Sequence, residues 1–241
     1  MNSRSLYAAA LGVSLLTFSV VVFRFDSVPQ QIPTHIGPDG EVDSWAPKSL
    51  PAATFGAWYS LLLLALLYFA VPRPAIAYRR LPVSPASDIP YSHTAADKAA
   101  ALLRISHHSM AWIAVALVVP LCLLQFTLTF PGLASYRTAA IVLLGISVFA
   151  AVIYTFVLLS RWPKQLEEMP TDDDELARHK YFGPGSGMGV YSEPDDPMLT
   201  WISPFNQSKV DLNWTHRSVK QYVFTVLVLF ALVCVTPYIA L

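Results

Sequence analysis

An all-α membrane protein of five transmembrane helices, with a small cytoplasmic β-meander between spans four and five, is the fold class this sequence predicts. Three observations predict it. Five stretches, at 6–23, 52–71, 109–130, 138–160 and 222–241, contain no Asp, Glu, Lys, Arg or His, and each has the length that carries a helix across roughly 30 Å of hydrocarbon at about 1.5 Å per residue. Only 13% of residues are charged and 54% are hydrophobic, whereas roughly a quarter of a soluble domain is charged. Finally, the long polar stretch before the last span reads as short alternating runs broken by Pro and Gly, the pattern of strands and turns.

The spans divide the chain into a first helical hairpin with an extracytoplasmic loop (1–71), a Pro-rich cytoplasmic loop and helix start (72–108), and a second transmembrane hairpin (109–160). A cytoplasmic loop with a β unit (161–221) and a last helix (222–241) follow. The first stretch exceeds a signal-peptide core and leaves the membrane through Phe23-Arg24-Phe25 without a small-x-small cleavage site, which predicts an uncleaved signal anchor. Thirteen basic residues, from Arg4 through the 72–108 and 161–221 loops, stand against Arg24, Lys48 and Arg137 on the other side. The positive-inside rule therefore places the N-terminus in the cytoplasm and the C-terminus outside. A formal net charge of zero argues against nucleic acid as a partner. Cys122 and Cys234 lie in apolar stretches outside any C-x-x-C pattern and read as packing residues.

The loop after the first span holds Pro29, Ile32-Pro33-Thr34-His35, Asp39-Gly40, Asp43 and Lys48. Its prolines fix φ and Asp39-Gly40 is a turn signal, so a shaped loop is expected. His35 with Asp39, Glu41 and Asp43 offers imidazole and carboxylate donors to a divalent ion or a cationic ligand. One His beside alternating acids is a sparse ligand set, and a rigid turn braced by His35 outweighs a metal site, so no metal or other cofactor is assigned. Arg24 and Lys48 against Asp26, Asp39, Glu41 and Asp43 leave the loop at −2, which attracts a basic peptide.

On the other side, Pro72, Pro74, Pro82, Pro85 and Pro90 predict extended chain. Thr94-Ala95-Ala96-Asp97 reads as a capping box opening one helix that runs into span three, with Pro120 as a kink and His107-His108 as a polar collar at the membrane entry. Thr171 to Glu175 supplies a cap and an acidic first turn, and Arg178, His179 and Lys180 complement the far end of a helix that stops near Gly183. The glycine-rich 183–189 run lacks the preceding strand and the G-K-[ST] ending of a phosphate loop. Runs 188–191, 198–202 and 209–214 predict the meander, with the prolines around Asp195-Asp196 making a turn more than a cation site.

Two segments carry family resemblances. Pro29, Ile32, Pro33, His35, Gly40, Asp43 and Lys48, after a first membrane span, resemble the extracytoplasmic loop of a bacterial domain of unknown function found in SdpI-like membrane proteins. The resemblance covers roughly 6–71. Tyr191, Pro194-Asp195-Asp196-Pro197 and Leu212-Asn213 resemble a short bacterial domain of unknown function that occurs in similar membrane proteins, although Val210-Asp211 replaces its Gly-aromatic step. SdpI-like proteins are associated with protection against secreted killing peptides and with capture of a cytoplasmic regulator. The resemblance thus implies a bacterial cell (inner or plasma) membrane protein that senses, or gives immunity to, an extracellular peptide and tethers a cytoplasmic regulatory protein. Pro33, His35, Gly40 and Asp43 are the expected ligand-binding residues outside, and Tyr191, Asp195 and Asp196 the expected partner-binding residues inside.

No H-E-x-x-H, G-x-S-x-G or carboxylate pair within a span points to an enzyme, and no catalytic residue is assigned. The spans offer only Gln125 beyond Ser and Thr, which disfavours proton-coupled transport. A membrane scaffold or an uncharged pore component is the alternative. Ala8, Gly12, Gly56, Gly145 and Ala151 are the small residues expected at helix contacts.

Overall fold

The computed structural model describes residues 2–37, 41–82, 87–182 and 189–240. Five of its helices are long and apolar enough to cross a bilayer, Ser3–Phe23, Phe55–Tyr78, His93–Thr129, Pro131–Glu167 and Arg217–Tyr238, and the chain is a multi-pass membrane protein. In order, the elements are α1 (Ser3–Phe23), β1 (Gln31–Ile36), β2 (Val42–Pro47), α2 (Leu50–Ala53), α3 (Phe55–Phe69), α4 (His93–Thr129) and α5 (Arg137–Ser160). There follow α6 (Trp162–Glu167), α7 (Asp173–Phe182), β3 (Val190–Tyr191), β4 (Thr200–Ser203), β5 (Asn206–Asn213) and α8 (Arg217–Ala240). They form two compact units, one of Met1–Ala70, Met110–Ile153 and Val228–Leu241, the other of Val71–Ser109 and Tyr154–Leu227.

In the first unit α1 buries Leu6, Tyr7, Ala10, Ser14, Thr17 and Val21, a stripe at helical spacing. Its larger apolar residues Leu15, Leu16 and Phe23 face outward. This inversion is what lipid permits, because tails solvate Leu as well as a protein core does and helices associate through close packing instead. Tyr7 meets Tyr68 of α3 edge-on at 5.2 Å and its hydroxyl donates to the Leu67 carbonyl at 3.2 Å. Ala10, Leu64, Ala111, Ala114, Val118 and Cys122 complete that core. Of the small residues expected at contacts, Gly56 and Ala151 are packed, but Gly12 and Gly145 face open space and Ala8 is exposed. Alanines on α4 take their place, since helix face and not residue size alone selects the contact.

The second expected span is broken. Thr54 separates α2 from α3, leaving the Ala53 carbonyl and the Gly56 N–H without intrahelical partners. Gln125 of α4 satisfies both: its Nε2 donates to Ala53 O at 2.7 Å, and its Oε1 accepts from Gly56 N at 2.5 Å. Without water in hydrocarbon, such groups need a protein partner. Gly56 is required here, because a Cβ would lie 2.7 Å from Gln125 Oε1.

In the second unit α4 begins one residue before Thr94. Ser92 is its cap, with Ala95 N donating to Ser92 Oγ at 2.9 Å. Asp172, and not Thr171, caps α7, accepting from Glu175 N at 2.7 Å. The three strands form one sheet in the order β3-β5-β4. β4 and β5 are an antiparallel hairpin, but β3 runs parallel to β5, Val190 opposite Leu212 and Tyr191 opposite Asn213. The sheet is therefore not the expected meander: the acidic turn carries the chain from β3 past β5, so β4 pairs on its far side. β5 begins at Asn206, three residues before the run expected at 209–214. Ile202 and Val210 pack on Ala77, Ala99 and Ala100, while Leu199, Leu212 and Val219 form a second cluster with Ile76 and Leu81. The Pro-rich chain is not extended throughout, since Pro74–Tyr78 is a 3-10 helix.

Candidate functional site

In the first unit the shaped loop is a two-stranded hairpin. Gln31 pairs with Pro47, Ile32 with Ala46, Pro33 with Trp45, His35 with Ser44 and Ile36 with Val42, with irregularities on either side of His35. Pro33 is tolerated because a two-stranded ribbon leaves one side of each strand unpaired. Ile32 and Ala46 are buried with Val21, Val28, Ala52 and Ala53, against Phe25, Phe126 and Phe130. Lys48 fastens the return strand, its ammonium donating to Asp26 O at 3.2 Å and lying 4.9 Å from the Phe25 ring centre, while its N–H donates to Gln30 O at 2.8 Å.

The outward face carries the chemistry. His35 Nδ1 donates to Asp43 Oδ1 at 2.6 Å, with 65% and 51% of the side chains exposed. A carboxylate on Nδ1 fixes the ring's orientation. Trp45 is 54% exposed. Pro33 is buried and shapes the strand; Gly40 lies outside the described residues. The anchored strand and the exposed pair are thus brought together, with Asp43 reached across the hairpin from His35.

In the second unit α7 presents Glu175, Arg178, His179 and Phe182 on one face. Arg178 is fully buried: Nη1 and Nη2 donate to the two Asp196 oxygens at 2.7 and 2.8 Å, and Nη1 also donates to Pro90 O at 3.0 Å. Its guanidinium lies over the Phe182 and Trp201 rings at 5.1 and 5.5 Å. The Tyr191 hydroxyl donates to Asp196 Oδ2 at 2.8 Å. Burial, then the Asp196 charge, pushes the Tyr191 phenol well above its usual range, so it stays a neutral donor. Asp196 also accepts from Met198 N at 2.8 Å.

Beside this knot Lys98 Nζ donates to both Glu175 oxygens at 2.8 and 2.9 Å and to Thr171 Oγ1 at 2.7 Å. Thr94 Oγ1 donates to Glu175 Oε2 at 2.6 Å and Ser92 Oγ to Asp172 Oδ1 at 2.9 Å. Partial burial opposes ionisation of Asp172, yet the bonds from Glu175 N, Ser92 and Thr94 hold its carboxyl below the usual aspartate range. Burial lowers His179, outweighing the attraction of Glu175. A cleft of about 250 Å³ opens here, lined by Lys98, Thr171, Glu175, His179, Trp201 and Gln207 among others.

Asp196 and Tyr191 are thus held inside the unit, and of the three inner candidates Asp195 alone is exposed. Arg178, Lys98 and Glu175 escaped the sequence reading as partners. Glu175 and Arg178 stand at helical spacing on α7, but that buried face is charged, so hydrophobic periodicity does not reveal it, and Lys98 reaches Glu175 from α4. Among the described residues no three His, Cys, Asp or Glu stand close enough to hold a metal ion together.

Residues 12–57, from within α1 through the hairpin to the start of α3, match the model of a family described as a domain of unknown function (DUF1648). No curated protein and no solved structure matches the chain. The molecule is a multi-pass membrane protein carrying this domain.

Proposed function

We propose that the chain is a non-enzymatic sensing or immunity protein of the SdpI-like type, in a bacterial cell membrane with its N-terminus cytoplasmic. In this reading the β1–β2 hairpin meets an extracellular basic peptide, and the unit containing β3–β5 tethers a cytoplasmic regulator through the surface around Asp195. The observation that carries it is the exposed His35–Asp43 pair beside exposed Trp45, on a hairpin whose other face is locked into helix ends, inside the segment that matches the family. Carboxylates and an open aromatic face suit Lys and Arg side chains, through charge and cation–π attraction. The lopsided distribution of basic residues supports the orientation.

Binding of a fluorescent lysine-rich peptide to the full chain in nanodiscs tests this. Salt-sensitive binding, weakened roughly tenfold (about 1.4 kcal/mol) by His35→Ala with Asp43→Ala, is expected. Binding no stronger than to empty nanodiscs defeats the peptide reading. Ion flux through liposomes holding the purified chain should be absent; flux would favour a pore.

A further inference from the structure

α5 ends at Ser160 and α6 begins at Trp162. Two residues of helix advance about 3 Å, and the headgroup layer outside the hydrocarbon is roughly 5–7 Å deep, so a hydrocarbon edge at Ser160, where the uncharged stretch ends, puts Trp162 at the level of the headgroups. Its ring does not face lipid. It is 1% exposed and its Nε1 donates to the Gln207 carbonyl at 2.7 Å, which holds the start of β5 at the depth where the spanning helix ends.

Ser203 pairs with Asn206 across the hairpin, leaving Pro204 and Phe205 as its two-residue turn. The turn is formed and not frayed: Phe205 N donates to Ser203 Oγ at 3.3 Å and Ser208 N to Asn206 Oδ1 at 3.4 Å. Pro204 and Gln207 line the same cleft as Leu166 and Glu167 of α6, so the turn lies alongside the helix that leaves the membrane. At about 3.3 Å per extended residue, Phe205 is within roughly 7 Å of Gln207. It is 72% exposed. Exposed Arg161 and Lys164 stand at the span side of α6, with no ion pair among the described residues, and Glu167 and Glu168 follow at its far side. That order places the cations nearest headgroup phosphates, where basic and aromatic residues concentrate.

We propose that the β4–β5 turn is a membrane-contact element, in which the Phe205 ring enters the interfacial layer of the leaflet where α5 ends, flanked by Arg161 and Lys164 at the phosphates. The partner is a lipid surface, and the contact fixes the sheet against the bilayer through a turn that no membrane-spanning segment contains. Burying this ring in the interface removes its apolar surface from water.

A nitroxide on Phe205→Cys in the full chain, with Cys234→Ala and the buried Cys122 retained, tests this in nanodiscs of phosphatidylcholine and phosphatidylglycerol. Tyr181→Cys, on α7 and 51% exposed in the native residue, is the aqueous control. Both positions are exposed, so the variants should fold, which near-UV circular dichroism checks. The label at 205 should collide more with lipid-soluble oxygen than with a water-soluble nickel chelate, and the order should invert at 181. A label at 205 as open to nickel as that at 181 overturns the proposal, and so does one shielded from both relaxants, since protein would then cover the turn.

Discussion

Gln125 is the one carboxamide in the five uncharged stretches, and its amide is engaged by two backbone atoms, Ala53 O and Gly56 N. Gly56→Ala places a methyl 2.7 Å from Oε1 and displaces the amide from Ala53 and Gly56 together. A loss of about 1–3 kcal/mol is expected, read as a lower midpoint of thermal unfolding in detergent, whereas Gly12→Ala, which meets nothing within 4 Å, should change little. Equal midpoints for the two variants would refute the clamp. Asp195 and Asp196 offer a second contrast. Asp196→Ala leaves Arg178 buried and unpaired, a cost of roughly 3–5 kcal/mol, while Asp195→Ala removes an exposed carboxylate with an effect within about 0.5 kcal/mol. Protease sensitivity of the sheet-bearing unit measures both.

At the scale of elements, α7 is held by charge. His179 is lowered from 6.5 chiefly by burial, and His216 is lowered by burial too. A base whose folded pKa is depressed binds its proton more readily when unfolded, so stability is full above the ordinary histidine range, falls as pH drops through about 6.5, and levels off below the folded value. The sheet-bearing unit should therefore unfold at a lower temperature at pH 5.5 than at pH 7.5, and His179→Gln should shrink that difference. Asp172 has the same sign in a lower window: its depressed carboxyl adds stability above 3.8 that is lost only as pH falls below it. An unchanged difference in the His179 variant would mean that the ring is not desolvated. The hairpin, by contrast, is held by Ile32 and Ala46 on the helix ends, and its exposed pair is free to change without loss of the fold.

For the whole molecule, lipid as solvent decides most of what is seen. Only 6% of the most apolar stretch of α5 and of α8 is buried within the protein, against 44% in α4; in the first unit α4 supplies Ala111, Ala114, Val118 and Cys122 to the core with α1 and α3, and apolar surface left uncovered on a spanning helix is what acyl chains solvate. Cysteines introduced at Thr34 and at Asn206 should react with membrane-impermeant reagent from opposite sides of sealed vesicles. Reaction from one side only would contradict the proposed topology and with it the division between an outer hairpin and a cytoplasmic sheet.

The five spans were legible because uninterrupted apolar length is a local property, and the DUF1648 segment because prolines, His and turn residues stand at fixed offsets in one short stretch. The α7 helix was legible for the same reason: acids, then bases, in one short stretch. Other features had no local trace. The parallel pairing of β3 with β5 joins residues more than twenty positions apart, the break at Thr54 matters only because Gln125 faces it, and Arg178 becomes the partner of Asp196 only when α7 folds over the acidic turn. Hydrophobicity along the chain determined which segments enter lipid. Which polar groups are buried together was decided by tertiary packing, because a desolvated charge needs its partner in space and sequence spacing does not specify that neighbour.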